Sequence, residues 1–145
     1  MDYWDTSALV KLYAREADSE HFLHLLETAI RPMYASAIAD VEVLCALHRK
    51  ERFQDIAPGS SLRLYERFLS DCATGRIVRV PYGADVASRA EEVVRAAFKR
   101  SRPVVIRSLD VIHIASALTI KANRVVATDS RLREVASLNS LALVP

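Results

Sequence analysis

Four acidic side chains of this 145-residue chain stand where a solvated carboxylate has no ordinary reason to be. Asp5 closes the apolar-rich run Met1–Trp4, which only Asp2 interrupts. Glu42 sits among Ile38, Val41, Val43 and Leu44, and Asp110 lies between Leu109 and Val111 at the start of the most apolar stretch. Asp129 follows directly on Val125-Val126-Ala127-Thr128. Singly, each has an everyday explanation: Asp5 and Asp129 as helix N-caps, Asp110 as a charge meeting a helix dipole, Glu42 as an exposed helix residue. Together, two strand ends and two helix starts can converge on one end of a parallel sheet. Four carboxylates in one pocket cannot all ionise unaided, because like charges raise one another's pKa. A hard divalent cation relieves that repulsion. Mg²⁺ takes carboxylate and water oxygens at about 2.0–2.1 Å, and Mn²⁺ accepts the same ligands. Such a cation acidifies water and neutralises an in-line phosphoryl transition state, so the implied chemistry is metal-assisted phosphodiester hydrolysis.

The elements that must position these acids follow from hydrophobic pattern and breakers. Met1–Trp4, Met33–Ala35, Ile77–Val80, Val125–Thr128 and Leu141–Val144 read as strands. Helices are expected from Ser7 through Tyr13, from Asp18 or Ser19 to the stop at Pro32, and from Ser36 or Asp40 to Arg52. In the second of these, Phe22, Leu25, Leu26 and Ala29 share a face. Further helices are expected over Leu62–Ala73, Asp85–Arg100, Leu109–Lys121 and Ser130–Leu138. Most of the strands are short apolar runs of the kind buried on both faces, and they alternate with helices. That pattern predicts a three-layer α/β/α sandwich with a mainly parallel central sheet. The functional crevice of such a sheet lies beyond the carboxyl ends of its strands.

Composition narrows the class. Hydrophobic residues make up 51% and charged residues 26%, enough for a core in one domain over residues 1–145. The three glycines, Gly59, Gly75 and Gly83, are scattered, which excludes a phosphate-cradling P-loop and a dinucleotide-binding turn. Cys45 and Cys72 lie in helix-like segments without CxxC spacing, so neither a disulfide scaffold nor a cysteine zinc site is expected. The start of the chain lacks the basic cluster of a signal peptide, and no run approaches the roughly 18 apolar residues of a membrane span. A soluble, cytoplasmic protein is expected. Net charge is +2, but residues 1–75 hold 8 Lys/Arg against 12 Asp/Glu, whereas residues 76–145 hold 12 against 6. Arg95, Lys99, Arg100, Arg102 and Arg107 contribute much of that positive second half, and Arg suits bidentate phosphate contacts.

The residues also carry a resemblance. Asp5-Thr6-Ser7-Ala8-Leu9-Val10-Lys11-Leu12-Tyr13 resembles the opening motif of PIN-domain nucleases. Glu42 in Ala39-Asp40-Val41-Glu42-Val43, the segment Ser108-Leu109-Asp110-Val111-Ile112-His113-Ile114-Ala115-Ser116-Ala117-Leu118, and Ala127-Thr128-Asp129-Ser130-Arg131-Leu132 resemble its other three blocks. Order and spacing fit over essentially the whole chain, and within the family the chain is most similar to the VapC-like toxins. The resemblance implies a Mg²⁺-dependent endoribonuclease, with Mn²⁺ as substitute, that forms a homodimer and is held inactive by a small antitoxin. It makes Asp5, Glu42, Asp110 and Asp129 the metal-binding and catalytic carboxylates, with the Ser7 and Thr128 hydroxyls beside them to orient a carboxylate or a bound water. Lys11, Arg102 and Arg107 are candidates for gripping the RNA backbone. Two positions depart from the family pattern: Trp4 stands where a smaller aliphatic residue is expected, and no Gly precedes the last strand, where Asn139 is expected to supply the left-handed turn.

Other readings carry less of the sequence. His21 and His24 share a helix face without a third ligand, and His113, one turn after Asp110, reads either as a pocket residue or as a packed core histidine. Tyr13 and Arg49 could line a phosphate path, and no aromatic platform for base stacking is visible. A phosphoacceptor regulatory domain needs paired acids after its first strand and a late Lys, yet no Lys follows Lys121. A catalytically silent PIN-like binding module would lack one of the four acids, and none is missing.

Overall fold

The computed structural model describes residues 1–28, 32–99, 101, 104 and 106–144. Its five strands fall on the expected apolar runs: β1 (Asp2–Trp4), β2 (Met33–Ser36), β3 (Ile77–Val80), β4 (Arg124–Val126) and β5 (Ala142–Val144). They form one sheet in the order β3-β2-β1-β4-β5, and every pairing is parallel. The helices are α1 (Thr6–Leu9), α2 (Ser19–Thr28), α3 (Ala39–Arg52), α4 (Ser61–Ala73), α5 (Ala84–Phe98), α6 (Ser108–Thr119) and α7 (Ser130–Leu138).

Strand alternation sorts the core into two layers. Trp4, Met33, Ala35, Ile77 and Val126 face α1 to α4 and pack with Leu9, Phe22, Val43, Leu47 and Phe68. Tyr3, Val80 and Val125 face the other way, against Val86, Val93, Ile114, Ala115, Leu132 and Val135 of α5 to α7. Helices therefore cover both faces, and the fold is a three-layer α/β/α sandwich. The chain runs β1 to β2 to β3 outward, then returns to place β4 on the opposite side of β1. The carboxyl ends of β1 and β4 thus flank the point where strand order reverses, the place where open α/β sheets form their crevice.

Local departures from the sequence reading have local causes. The first helix stops at Leu9 rather than running to Tyr13, and Val10–Leu12 tightens into a 3₁₀ turn. Helix α6 ends at Thr119: Lys121 adopts φ 55° and the Ala122 amide bonds back to the Ala117 carbonyl, which closes the helix before Lys121 can extend it. The left-handed residue before β5 is Ser140 (φ 59°), not Asn139. Asn139 keeps φ −102° and donates its side-chain amide to the Val135 carbonyl at 2.8 Å, capping α7 from the side chain instead. Ala29, Arg100 and Arg102 lie outside the described residues.

Candidate active site

Asp5 is the first residue past β1. Its amide continues the ladder to the Val126 carbonyl at 2.9 Å, while its carboxylate N-caps α1, Oδ2 accepting the Ser7 amide at 2.9 Å. Only 5% of the residue is exposed. Asp129, just past β4, repeats the device on α7, with Oδ1 accepting the amides of Arg131 and Leu132 at 2.9 and 3.0 Å. The everyday capping explanation is therefore correct for both acids, and it is also what aims them: each is pinned by one oxygen at a strand end. Ser7 joins the two ends. Its Oγ accepts the Thr128 amide at 2.9 Å and the Asp129 amide at 3.3 Å, so the β4–α7 loop is held against α1.

Glu42, in the first turn of α3, is half-buried, and its Oε2 accepts hydrogen bonds from Thr6 Oγ1 at 2.6 Å and from His113 Nε2 at 2.6 Å. Burial alone would raise its pKa, but the hydrogen bond and charge of His113 and the Thr6 hydroxyl hold it below the usual carboxylate value. Asp110, in the first turn of α6, is the opposite case. Its Oδ2 is buried with no hydrogen-bond partner. Its pKa is raised, first by desolvation and then by the charges of Asp129 and Asp5, against the opposing pull of Arg107 and His113.

These four acids line one cavity of about 470 Å³ at the carboxyl end of the sheet, together with Thr6, Ser7, Lys11, Arg107 and Thr128. The candidate gripping residues are placed unequally. Lys11 is buried at the wall, its ammonium bound to Glu16 and to Asp18 (2.7 Å), so its charge is already neutralised. Arg107 is exposed and lines the cavity from the N-cap of α6. Arg95 instead pairs with Glu91 on α5. Thr128 lines the rim, and the contact it makes with Ser7 is through its amide rather than its hydroxyl. Sequence reasoning passed over Lys50, which lines the same cavity and pairs with Glu16 at 2.7 Å, and Cys45, one turn after Glu42.

The donor set suits a hard cation. It is all oxygen, and the buried, unpartnered Asp110 oxygen between like charges is the group a divalent cation would satisfy. Among the described residues no three acidic, His or Cys groups already form a cage around one point.

Residues 3–138 match the family described as PIN domain. A curated relative, ribonuclease VapC46 of Mycobacterium tuberculosis, is 30% identical over 150 residues, spanning 98% of this chain and 95% of that protein. Among solved structures, FitAB bound to an IR36 DNA fragment superposes with a TM-score of 0.74 at 20% identity, over 99% of this chain and 94% of that one. VapC20 of Mycobacterium tuberculosis, a sarcin-ricin loop cleaving toxin, superposes with a TM-score of 0.71 at 16% identity, over 92% of this chain and 94% of that one.

Proposed function

The chain belongs to the PIN domain family, and on that footing we propose that it is a divalent-metal-dependent endoribonuclease, the toxin of a toxin–antitoxin pair. The observation that carries the reading is the convergence of Asp5, Glu42, Asp110 and Asp129 on one cavity at the strand-order reversal. The ribonuclease name of the 30% identical relative supports the substrate class.

In this reading the four carboxylates hold Mg²⁺, or Mn²⁺ in its place, which when bound supplies positive charge to the phosphodiester and acidity to water. The chain's own contribution is arrangement. Asp5 and Asp129 are fixed by their capping bonds, Ser7 keeps their two strand ends together, and Thr6 and His113 fix Glu42. Arg107 and Arg49 border the acidic floor and offer positive charge to the phosphates on either side of the scissile bond, whereas Lys50 is paired with Glu16. No aromatic side chain is among the described residues that line the cavity, so base selection by stacking is not built into its floor.

The partner proposed is a small antitoxin that sets an Arg or Lys among the carboxylates and so meets the charge a metal would meet. We place the chain in the cytoplasm as a homodimer; among its described residues no helix is long and apolar enough to cross a membrane. The deciding experiment incubates the purified chain with end-labelled single-stranded RNA, with Mg²⁺ and with chelator, beside Asp5→Asn. Internal cleavage that needs the metal and disappears in the variant is expected. Cleavage that survives chelation, or an Asp5→Asn protein as active as wild type, would refute the reading.

A further inference from the structure

We infer that Tyr3 and His113 are positioning residues, a hydrogen-bonded relay from the central strand to Glu42 that fixes that carboxylate for holding a divalent cation. The inference rests on the functional reading above and goes beyond it, because neither side chain lines the cavity.

Tyr3 is wholly buried in β1, with its ring edge-on to that of His113, the centroids 6.0 Å apart. Its hydroxyl oxygen accepts the Ser36 amide at 3.0 Å and lies 2.7 Å from His113 Nδ1. His113 is 1% exposed and reaches Glu42 Oε2 with Nε2 at 2.6 Å; Asp5 Oδ1 stands 3.4 Å from the same nitrogen.

The direction of the relay follows from which groups can only donate and which can only accept. At the other end the Glu42 carboxylate can only accept, so the ring hydrogen stands on Nε2. A neutral ring with its hydrogen there presents a bare Nδ1, which takes the phenolic hydrogen of Tyr3, while the Tyr3 oxygen receives the Ser36 amide. In a cationic ring Nε2 carries hydrogen as well, so Glu42 has its donor in either charge state. Thr6 and His113 both converge on Oε2, so among the described residues Oε1 is left with its lone pairs for a cation. A Glu side chain on an exposed helix face samples several rotamers, and ordering it has an entropic cost. Here two donors set that rotamer before any cation arrives, and His113 is locked in turn by Tyr3. Partners that orient a metal-ligating carboxylate in this way typically alter metal affinity or activity by about 10–100-fold when removed.

The test compares His113→Gln with His113→Asn. A Gln carboxamide nitrogen reaches the position of Nε2 and can donate to Glu42, whereas an Asn amide reaches only as far as Nδ1. Mn²⁺ affinity is measured by titration calorimetry on the RNA-free protein, alongside thermal unfolding, RNA cleavage and the imidazole ¹⁵N spectrum of wild type. Expected are a hydrogen on Nε2, an about 10–100-fold loss of Mn²⁺ affinity in His113→Asn, and affinity within a few-fold of wild type in His113→Gln. Tyr3→Phe should fall between them. Equal Mn²⁺ affinity in His113→Asn and wild type, or equal losses in the Asn and Gln variants, overturns the relay. So does a neutral ring with its hydrogen on Nδ1, an observation that needs no variant to fold. A wild type that neither binds Mn²⁺ nor cuts RNA overturns the functional reading and the relay with it. A wild type that does both while His113→Asn matches it removes the relay alone.

Discussion

Replacing Ser7 by Ala removes one oxygen and tests whether the two strand ends need a latch. That oxygen accepts the Thr128 and Asp129 amides at 2.9 and 3.3 Å. Thr128 is exposed, so water replaces its bond, and a net hydrogen bond is worth about 0.5–1.5 kcal/mol. Asp129 is half-buried, and an orphaned buried donor costs about 1–3 kcal/mol, here reduced because the bond is long. The sum expected is about 1–2 kcal/mol. With an unfolding entropy near 2.1 cal/mol/K per residue, a chain of this length should lose about 3–7 °C in Tm. Cleavage should fall by about 10–100-fold, because Asp129 stays tied to its own helix while that helix is no longer tied to α1. Ser7→Thr returns the oxygen and should recover both properties. Thermal unfolding in chelator and RNA cleavage in Mg²⁺ provide the assay. A Ser7→Ala protein that melts within about 1 °C of wild type and cuts RNA at the same rate would refute the latch.

Three further outcomes are expected. Asp110→Asn should abolish cleavage and change the pH dependence of the metal-free protein. Desolvation, then Asp129 and Asp5, raise the native Asp110 pKa above 3.8, so the folded state binds that proton more tightly than the unfolded state. Its contribution to stability is present below about pH 4 and is lost as pH rises through the native value. Denaturant unfolding across that window should show wild type declining relative to Asp110→Asn, and parallel profiles would contradict the assignment. Arg107→Ala should weaken RNA binding and flatten the log K against log salt slope by about 0.7, the share of one single-strand phosphate, with Mn²⁺ affinity nearly unchanged. An unaltered slope would return Arg107 to an ordinary surface role. Chelated protein should regain activity with Mg²⁺ or Mn²⁺ and poorly with Ca²⁺, whose looser geometry positions water less well; full activity in Ca²⁺ would argue against the ligand set.

Much of this arrangement was legible because strand ends are legible. Asp5 and Asp129 each interrupt an apolar run, and a parallel sheet places such interruptions on one edge. Glu42 and Asp110 could be nominated from helix starts, but the oxygen that each leaves open depends on neighbours far away in sequence. His113 shows the limit. On an almost wholly apolar helix a histidine reads as core, and its partners stand 110 and 71 residues away. Lys11 shows another: the residues that neutralise it, Glu16 and Asp18, reach it only because α1 stops early and the chain turns back. Ser140 displaced Asn139 as the left-handed residue because the Asn side chain had a carbonyl to cap, a competition that local propensity does not rank.

The position of β1 has a consequence for the order in which a working centre can come into being. β1 is the middle strand, bonded on one side to β2 and on the other to β4, whose register sets Asp2 against Arg124. The first half of the chain can fold β1 against β2 and bring Asp5 towards Glu42 early. The other wall, with Asp110, Asp129 and the Ser7 latch, waits for residues more than a hundred positions later. A chain extended only as far as the residue before Asp110 therefore carries half a cavity and two of the four carboxylates. On the proposed nuclease reading, the full set assembles only once β4 has docked on β1 and Ser7 has closed on Thr128 and Asp129. The interval between completing β4 and closing that latch is then the earliest moment at which an inhibitor of the proposed activity would be needed.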